Sequence, residues 1–175
     1  MKIALSTLML LLCLTAGLHA EEASPNLLGD KLDSKAQWKF WIHQPVRKAG
    51  ANGQFKDNKA IVTPPAEGAV EKMGAHFIQL YKELTLEDGK KYTLTFKTDA
   101  TEDCELQTVY LLSKAPYTHY FTHTVKIKAG PQSHKVTISP KATKEGYLEP
   151  RSLRLFCGLL KGETTISDIK LVDFE

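Results

Sequence analysis

From residue 38 onward the chain alternates between apolar and polar positions in short runs rich in Val, Ile, Leu, Thr, Tyr and Phe, and no helical period persists. These runs predict strands over 38–44, 54–63, 75–86, 91–99, 104–113, 121–128, 133–139, 151–160 and 164–174. Between them stand Asn52-Gly53, "TPPAEG", Asp88-Gly89, "KAGPQ", "SPKATKEG" and Lys161-Gly162. Glycine and asparagine supply positive φ, and proline fixes φ and removes a donor, so each segment is turn chemistry. Many short strands, with no internal repeat and no low-complexity linker, predict an all-β chain built as an antiparallel β-sandwich.

Strand parity then sorts side chains to faces, because successive residues point to opposite sides of a sheet. In "WKFWIHQ", which holds both tryptophans, Trp38, Phe40 and Ile42 share one face and Lys39, Trp41 and His43 the other. Trp38 is therefore expected in the core and Trp41 outside it. The best hairpin signal is Asp88-Gly89, with Tyr92, Leu94 and Phe96 facing inward after it. Before it, Ile78, Leu80, Leu84 and Leu86 share a parity that leaves Phe77, Gln79 and Tyr81 outside. In "RSLRLFCGLL", Leu153, Leu155, Cys157 and Leu159 face one way and Arg154, Phe156 and Gly158 the other. An outward face bearing aromatics, an amide, an arginine and a glycine that permits close approach has the composition of a binding surface. The alternative is that a loop such as 113–121, "KAPYTHYF", covers it.

The N-terminus changes the setting. Lys2, the apolar run after it and the small-residue ending before Glu21-Glu22 have the layout of a cleaved secretory signal over 1–20, with cleavage expected after Ala20. No later segment is long or apolar enough to span a bilayer, so a secreted or periplasmic location is expected. Residues 21–175 suffice for one domain with a proper core. The 175-residue chain carries 23 Lys+Arg against 20 Asp+Glu, with no dense basic cluster that would argue for nucleic acid or an anionic membrane. Cys13 falls in the leader, which leaves Cys104 and Cys157; in an oxidising compartment they could pair, or remain buried free thiols.

Catalytic and metal signatures are missing. His119 and His123 have the spacing that shares a helix face, but "THYFTHTVKIK" reads as strand, where residues four apart lie roughly 13 Å from each other. There is no nucleophile elbow, phosphate loop or paired-cysteine motif. A glycosidase needs two carboxylates across a cleft, whereas the acids here cluster in and beside turns, so a binding module rather than an enzyme is expected.

Three landmarks carry a resemblance: "NLLGD" near residue 26, "FIQLYKELTLEDGKKYTLTF", and the closing "TTISDIKLVDF". Together they resemble the CenC-like carbohydrate-binding modules grouped as families 4, 9 and 22, across Asn26 to Phe174. The resemblance implies a galactose-binding-domain-like jelly roll that binds a poly- or oligosaccharide on one sheet face, often in the company of glycoside hydrolases. It places Gln79 at the amide position of the family's early strand, flanked by Phe77 and Tyr81. Strand parity adds Trp41, Arg154 and Phe156 to that face, where pyranose rings would stack on aromatics and polar groups would meet hydroxyls. Tyr110, Tyr117 and Tyr120 are further candidates, since either Leu106, Tyr110 and Leu112 or Gln107, Val109 and Leu111 could face inward. Many family members hold a structural calcium near both termini, to which Asp30 and Asp168 would contribute here. After "NLLGD", however, Lys31-Leu32-Asp33 replaces the family's Phe-Glu pair. The alternative function is a structural or protein-interaction domain whose open face receives a protein partner.

Overall fold

The computed structural model describes residues 24–174, so the expected leader over 1–20 lies outside the described residues. Ten strands follow in chain order: β1 (Lys39–Ile42), β2 (Asn52–Lys56), β3 (Lys59–Thr63), β4 (Ile78–Glu83), β5 (Tyr92–Ala100), β6 (Cys104–Leu112), β7 (His119–Ile127), β8 (Gly130–Ile138), β9 (Arg151–Phe156) and β10 (Thr164–Asp173). They form two five-stranded antiparallel sheets, a front sheet ordered β1-β4-β9-β6-β7 and a back sheet ordered β2-β3-β10-β5-β8. The chain is thus an all-β sandwich of jelly-roll type.

One buried cluster joins the sheets. Ile78, Leu80, Leu106, Tyr110, Leu112, Leu153 and Leu155 enter it from the front, and Tyr92, Leu94, Phe96, Val136, Ile138, Ile166 and Leu171 from the back. Each such side chain contributes about 1.5–3 kcal/mol by leaving water. Trp38, immediately before β1, is 2% exposed and packs in this core. Along β10 the inward parity changes from Ile166 to Ile169 and Leu171, and a register shift between Ser167 and Lys170 accounts for it. Asp168 sits in that bulge at φ +51, a conformation that aspartate tolerates better than most residues.

Several expected strands are shorter or divided, among them 38–44, which is reduced to Lys39–Ile42. The run 54–63 is a hairpin, β2 paired with β3, because Asp57 and Asn58 adopt φ +50 and +58 and make a two-residue turn between them. The run 75–86 begins instead with a single 3-10 turn, Ala75–Phe77, before β4. Strand β9 ends at Phe156 rather than 160, where Cys157 and Gly158 donate to the carbonyls of Ile78 and Ala75. A five-residue helix, α1 (Gln44–Lys48), carries the chain away from β1, with Pro45 at its start, where a missing N–H costs nothing.

The disulfide allowed by the sequence is not formed: Cys104 and Cys157 are both buried and free. The Cys157 thiol donates to the Leu155 carbonyl, 3.4 Å away. Cys104 meets the Lys161 backbone and the Thr164 hydroxyl instead. Burial pushes the Cys157 thiol up to about 12, which keeps it protonated and inert.

Candidate functional site

The outward face of the front sheet is a lattice of three rows set by strand register. One row runs Trp41, Gln79, Phe156, Gln107, Thr124; the next runs Lys39, Tyr81, Arg154, Val109, Thr122; the third runs Glu83, Ser152, Leu111, His119. Parity thus resolves β6: Tyr110 faces the core, while Val109 and Leu111 face outward.

Part of this face is covered. Val109, Leu111 and Phe156 form a small second cluster, 0%, 2% and 5% exposed, with Ala75 packed on it. The cover is chiefly the 3-10 turn, with His119 from the 113–121 segment expected to cover it adding a second contact. His76 from that turn meets the Phe156 ring at 6.4 Å, and His119 meets it at 6.1 Å. Gly158 is what allows the turn so close, because a Cβ there would stand 2.1 Å from the Gly74 carbonyl oxygen. The approach anticipated at this glycine is therefore made by the chain's own backbone.

What stays open is a groove of about 430 Å³, within the range of small-ligand sites. Arg154 and Gln79 form its floor, Trp41 and Tyr81 line one side, and Leu111, Ser113, Tyr117 and His119 line the other, with His76 at one end. Trp41 and Tyr117 are 42% and 54% exposed, so two aromatic rings remain accessible. A ring ladder supports Trp41 from behind: its indole lies 6.1 Å from His43, whose imidazole stacks on Phe77 at 4.6 Å.

Polar contacts hold the floor rigidly. The Gln79 amide donates to the His76 carbonyl at 2.7 Å and accepts from Arg154 Nη1 at 2.6 Å. Arg154 Nε donates to the Ser152 hydroxyl at 2.8 Å, and its guanidinium lies 4.9 Å from the Tyr81 ring centre. Burial lowers the Arg154 pKa. His119 is also shifted down, first by burial and then by Arg154 and His76.

Of the residues singled out in the sequence, the structure brings Trp41, Gln79, Tyr81 and Arg154 together in the groove. Phe77 lies outside β4, stacked behind Trp41's neighbour His43, and Phe156 lies under the 3-10 turn. Tyr117 reaches the groove, but Tyr110 and Tyr120 are core rings; Tyr120 occupies the register shift of β7. His76, Ser113 and His119 enter the groove from a turn, a strand end and a bulge, where parity carries no signal. A slightly larger cleft, about 480 Å³, lies by the 64–73 loop, lined by Pro64, Pro65, Val70, Met73, Leu159 and Leu160. It offers no aromatic ring, so the front-face groove is the stronger site.

Asp30 and Asp168 do line a common cleft of about 230 Å³ with Asn26 and Asn58. Calcium takes about 6–8 oxygen ligands, and the donors here fit it poorly. Asp168 pairs with Lys97 at 2.8 Å, and that hydrogen bond holds its carboxyl below the ordinary range. The Asn26 amide nitrogen donates to the Gly29 and Ile169 carbonyls, and Asn58 Oδ1 accepts from Leu32 N–H. Nitrogen donors thus hold the Asp168 carboxylate, the Asn58 amide oxygen and the Gly29 and Ile169 carbonyls that line the cleft. Among the described residues no group of three or more His, Cys, Asp or Glu converges.

No family model and no curated protein matches the sequence. Solved structures do match the fold. The second N-terminal cellulose-binding domain of Cellulomonas fimi β-1,4-glucanase C superimposes with TM-score 0.64 at 17% identity, over 89% of this chain and 98% of that chain. A CBM4 structure gives TM-score 0.62 at 22% identity, over 78% and 86%. The cyclase Fisc from Fischerella, bound to an indole compound, gives TM-score 0.55 at 14% identity, over 86% and 92%. The chain has the jelly-roll fold of the CenC-like carbohydrate-binding modules.

Proposed function

We propose that this protein is a non-catalytic module that binds a poly- or oligosaccharide in the front-face groove. The observation that carries the reading is the groove itself: accessible Trp41 and Tyr117 rings beside a hydrogen-bonding floor. A pyranose presents an apolar face to such rings and hydroxyls to such a floor. The fold shared with cellulose-binding domains supports it, although the same fold also carries a cyclase. The expected leader and the location it implies, secreted or periplasmic, accord with a glycan ligand outside the cell.

A groove this open predicts affinities of roughly −4 to −8 kcal/mol, millimolar to micromolar. The test is affinity gel electrophoresis and a glycan array with the wild type, Trp41→Ala and Tyr81→Ala. Retention of at least one glycan, weakened by both substitutions, is the expected result. Retention of none, or retention unchanged in both variants, defeats the proposal. A stoichiometric protein partner recovered in the absence of glycan binding would favour the interaction-domain alternative.

A further inference from the structure

Arg151 and Arg154 are both buried, 7% and 9% exposed, and stand three residues apart on β9, yet their surroundings differ. Arg151, on the inward side, has a counter-charge: its Nε and Nη2 both donate to one Glu149 carboxylate oxygen. Arg154, on the groove side, has none. Its protein partners are the neutral Ser152 hydroxyl and the neutral Gln79 carbonyl. A guanidinium carries five N–H donors, and these two contacts leave the rest of them free at the groove floor.

The groove compensates this charge only through the Tyr81 ring, 4.9 Å from the guanidinium, and through space from Tyr117 and Glu83, without a hydrogen-bonded carboxylate. Its lining contains Arg154, His76 and His119 but neither Asp nor Glu. Glu83, the carboxylate on this face of β4, is exposed and ion-paired with Lys39 at 3.7 Å. Gln79 Oε1, one acceptor for a neutral sugar's hydroxyl protons, is already engaged by Arg154, and the Ser113 hydroxyl spends its proton on Ser152, which leaves its oxygen as an acceptor beside the guanidinium. A buried cation without a partner is costly, and a planar guanidinium fork matches a carboxylate or sulfate bidentately.

We propose, resting on the carbohydrate reading above, that the groove selects a glycan bearing a negative charge, a uronate carboxylate or a sulfate ester, which docks on the free donors of Arg154 between Trp41 and Tyr117. The ligand would complete the ion pair that the protein leaves open, and Gln79 would act as a positioning residue that fixes the guanidinium.

The test is a matched panel on one β-1,4-linked glucose backbone: the neutral oligosaccharide, its C6-oxidised uronate, the methyl ester of that uronate, and the 6-sulfate, each titrated calorimetrically against the wild-type protein. The uronate or the sulfate should bind at least about tenfold more tightly than both the neutral form and the ester, with the stronger of the two naming the anion. Arg154→Gln should erase that preference, and the wild-type panel stands on its own should the variant fail to fold. Equal binding of neutral and charged forms overturns the anion preference and leaves the carbohydrate reading intact. An anion preference that survives in folded Arg154→Gln overturns the role of Arg154. Failure of every panel member to bind, alongside retention of another glycan on the array, overturns this inference alone; failure on both overturns both readings.

Discussion

Gly158→Ala tests whether the groove is held open by its own covering turn. The added Cβ would stand 2.1 Å from the Gly74 carbonyl oxygen and 2.8 Å from that of Ala75, both backbone atoms that cannot swing away as a side chain would. Relief requires the 74–77 segment to move outward. That breaks the 2.9 Å hydrogen bond from Gly158 N–H to the Ala75 carbonyl, worth about 0.5–1.5 kcal/mol, and adds overpacking of about 1–3 kcal/mol. The sum is a destabilisation of about 1.5–4.5 kcal/mol, or roughly 3–18 °C in Tm for a domain of this size.

Displacement would also travel into the site. The His76 carbonyl accepts from Gln79, and Gln79 accepts from Arg154, so a shifted turn loosens the groove floor through two hydrogen bonds. Urea and thermal denaturation of the variant, with Gly89→Ala as control, measure the first effect; glycan retention measures the second. Gly89 has φ +72 and open space around it, so alanine there should cost only about 1 kcal/mol and leave the groove untouched. A Gly158→Ala protein as stable as wild type would refute the packing described for this turn.

The two tryptophans should separate stability from binding. Trp38→Ala is expected to cost about 3–5 kcal/mol in denaturation, whereas Trp41→Ala should stay within about 0.5 kcal/mol of wild type and lose glycan retention. Since Lys97 and the Asn26 amide hold the oxygens near Asp168, millimolar chelator should leave Tm unchanged; a clear Tm rise on adding calcium would show a cation site after all. Stability should fall as pH drops below 6.5, because burial holds the folded-state pKa of His134 and of His119 below that ordinary value, and the unfolded chain therefore takes up protons first. Replacing His134, which contacts Thr98 at 2.8 Å, with Gln should flatten that slope in pH-dependent urea titrations; an unchanged slope would remove His134 as its source.

Period-2 alternation made most of the fold legible: the inward sets read from β4, β5 and β9 lie in or against the core, except Leu159, which follows the end of β9 and lines the 64–73 cleft instead. Its failures are local and share a cause. Asp57-Asn58 turned a single expected strand into a hairpin because two consecutive left-handed residues without glycine give no strong turn signal. The 75–86 run lost its first turn because Phe77, apolar and correctly spaced, finds its partners in His43 and His76 rather than in a sheet neighbour.

The site was legible only to the resolution of a face. Parity assigns a side chain to the outside of a sheet, but Phe156 and Trp41 share that assignment and one is 5% exposed while the other is 42%. What separates them is a three-residue turn whose approach depends on a missing Cβ at Gly158, a long-range packing event that leaves no periodic trace along the chain. The same holds for charge. Arg151 and Arg154 are alike in residue type and burial, and only the partners that the fold delivers, Glu149 to one and neutral groups to the other, distinguish a structural cation from one left available to a ligand. Sequence alternation therefore finds the surface on which binding chemistry can occur, and tertiary contacts determine which of its residues are free to perform it.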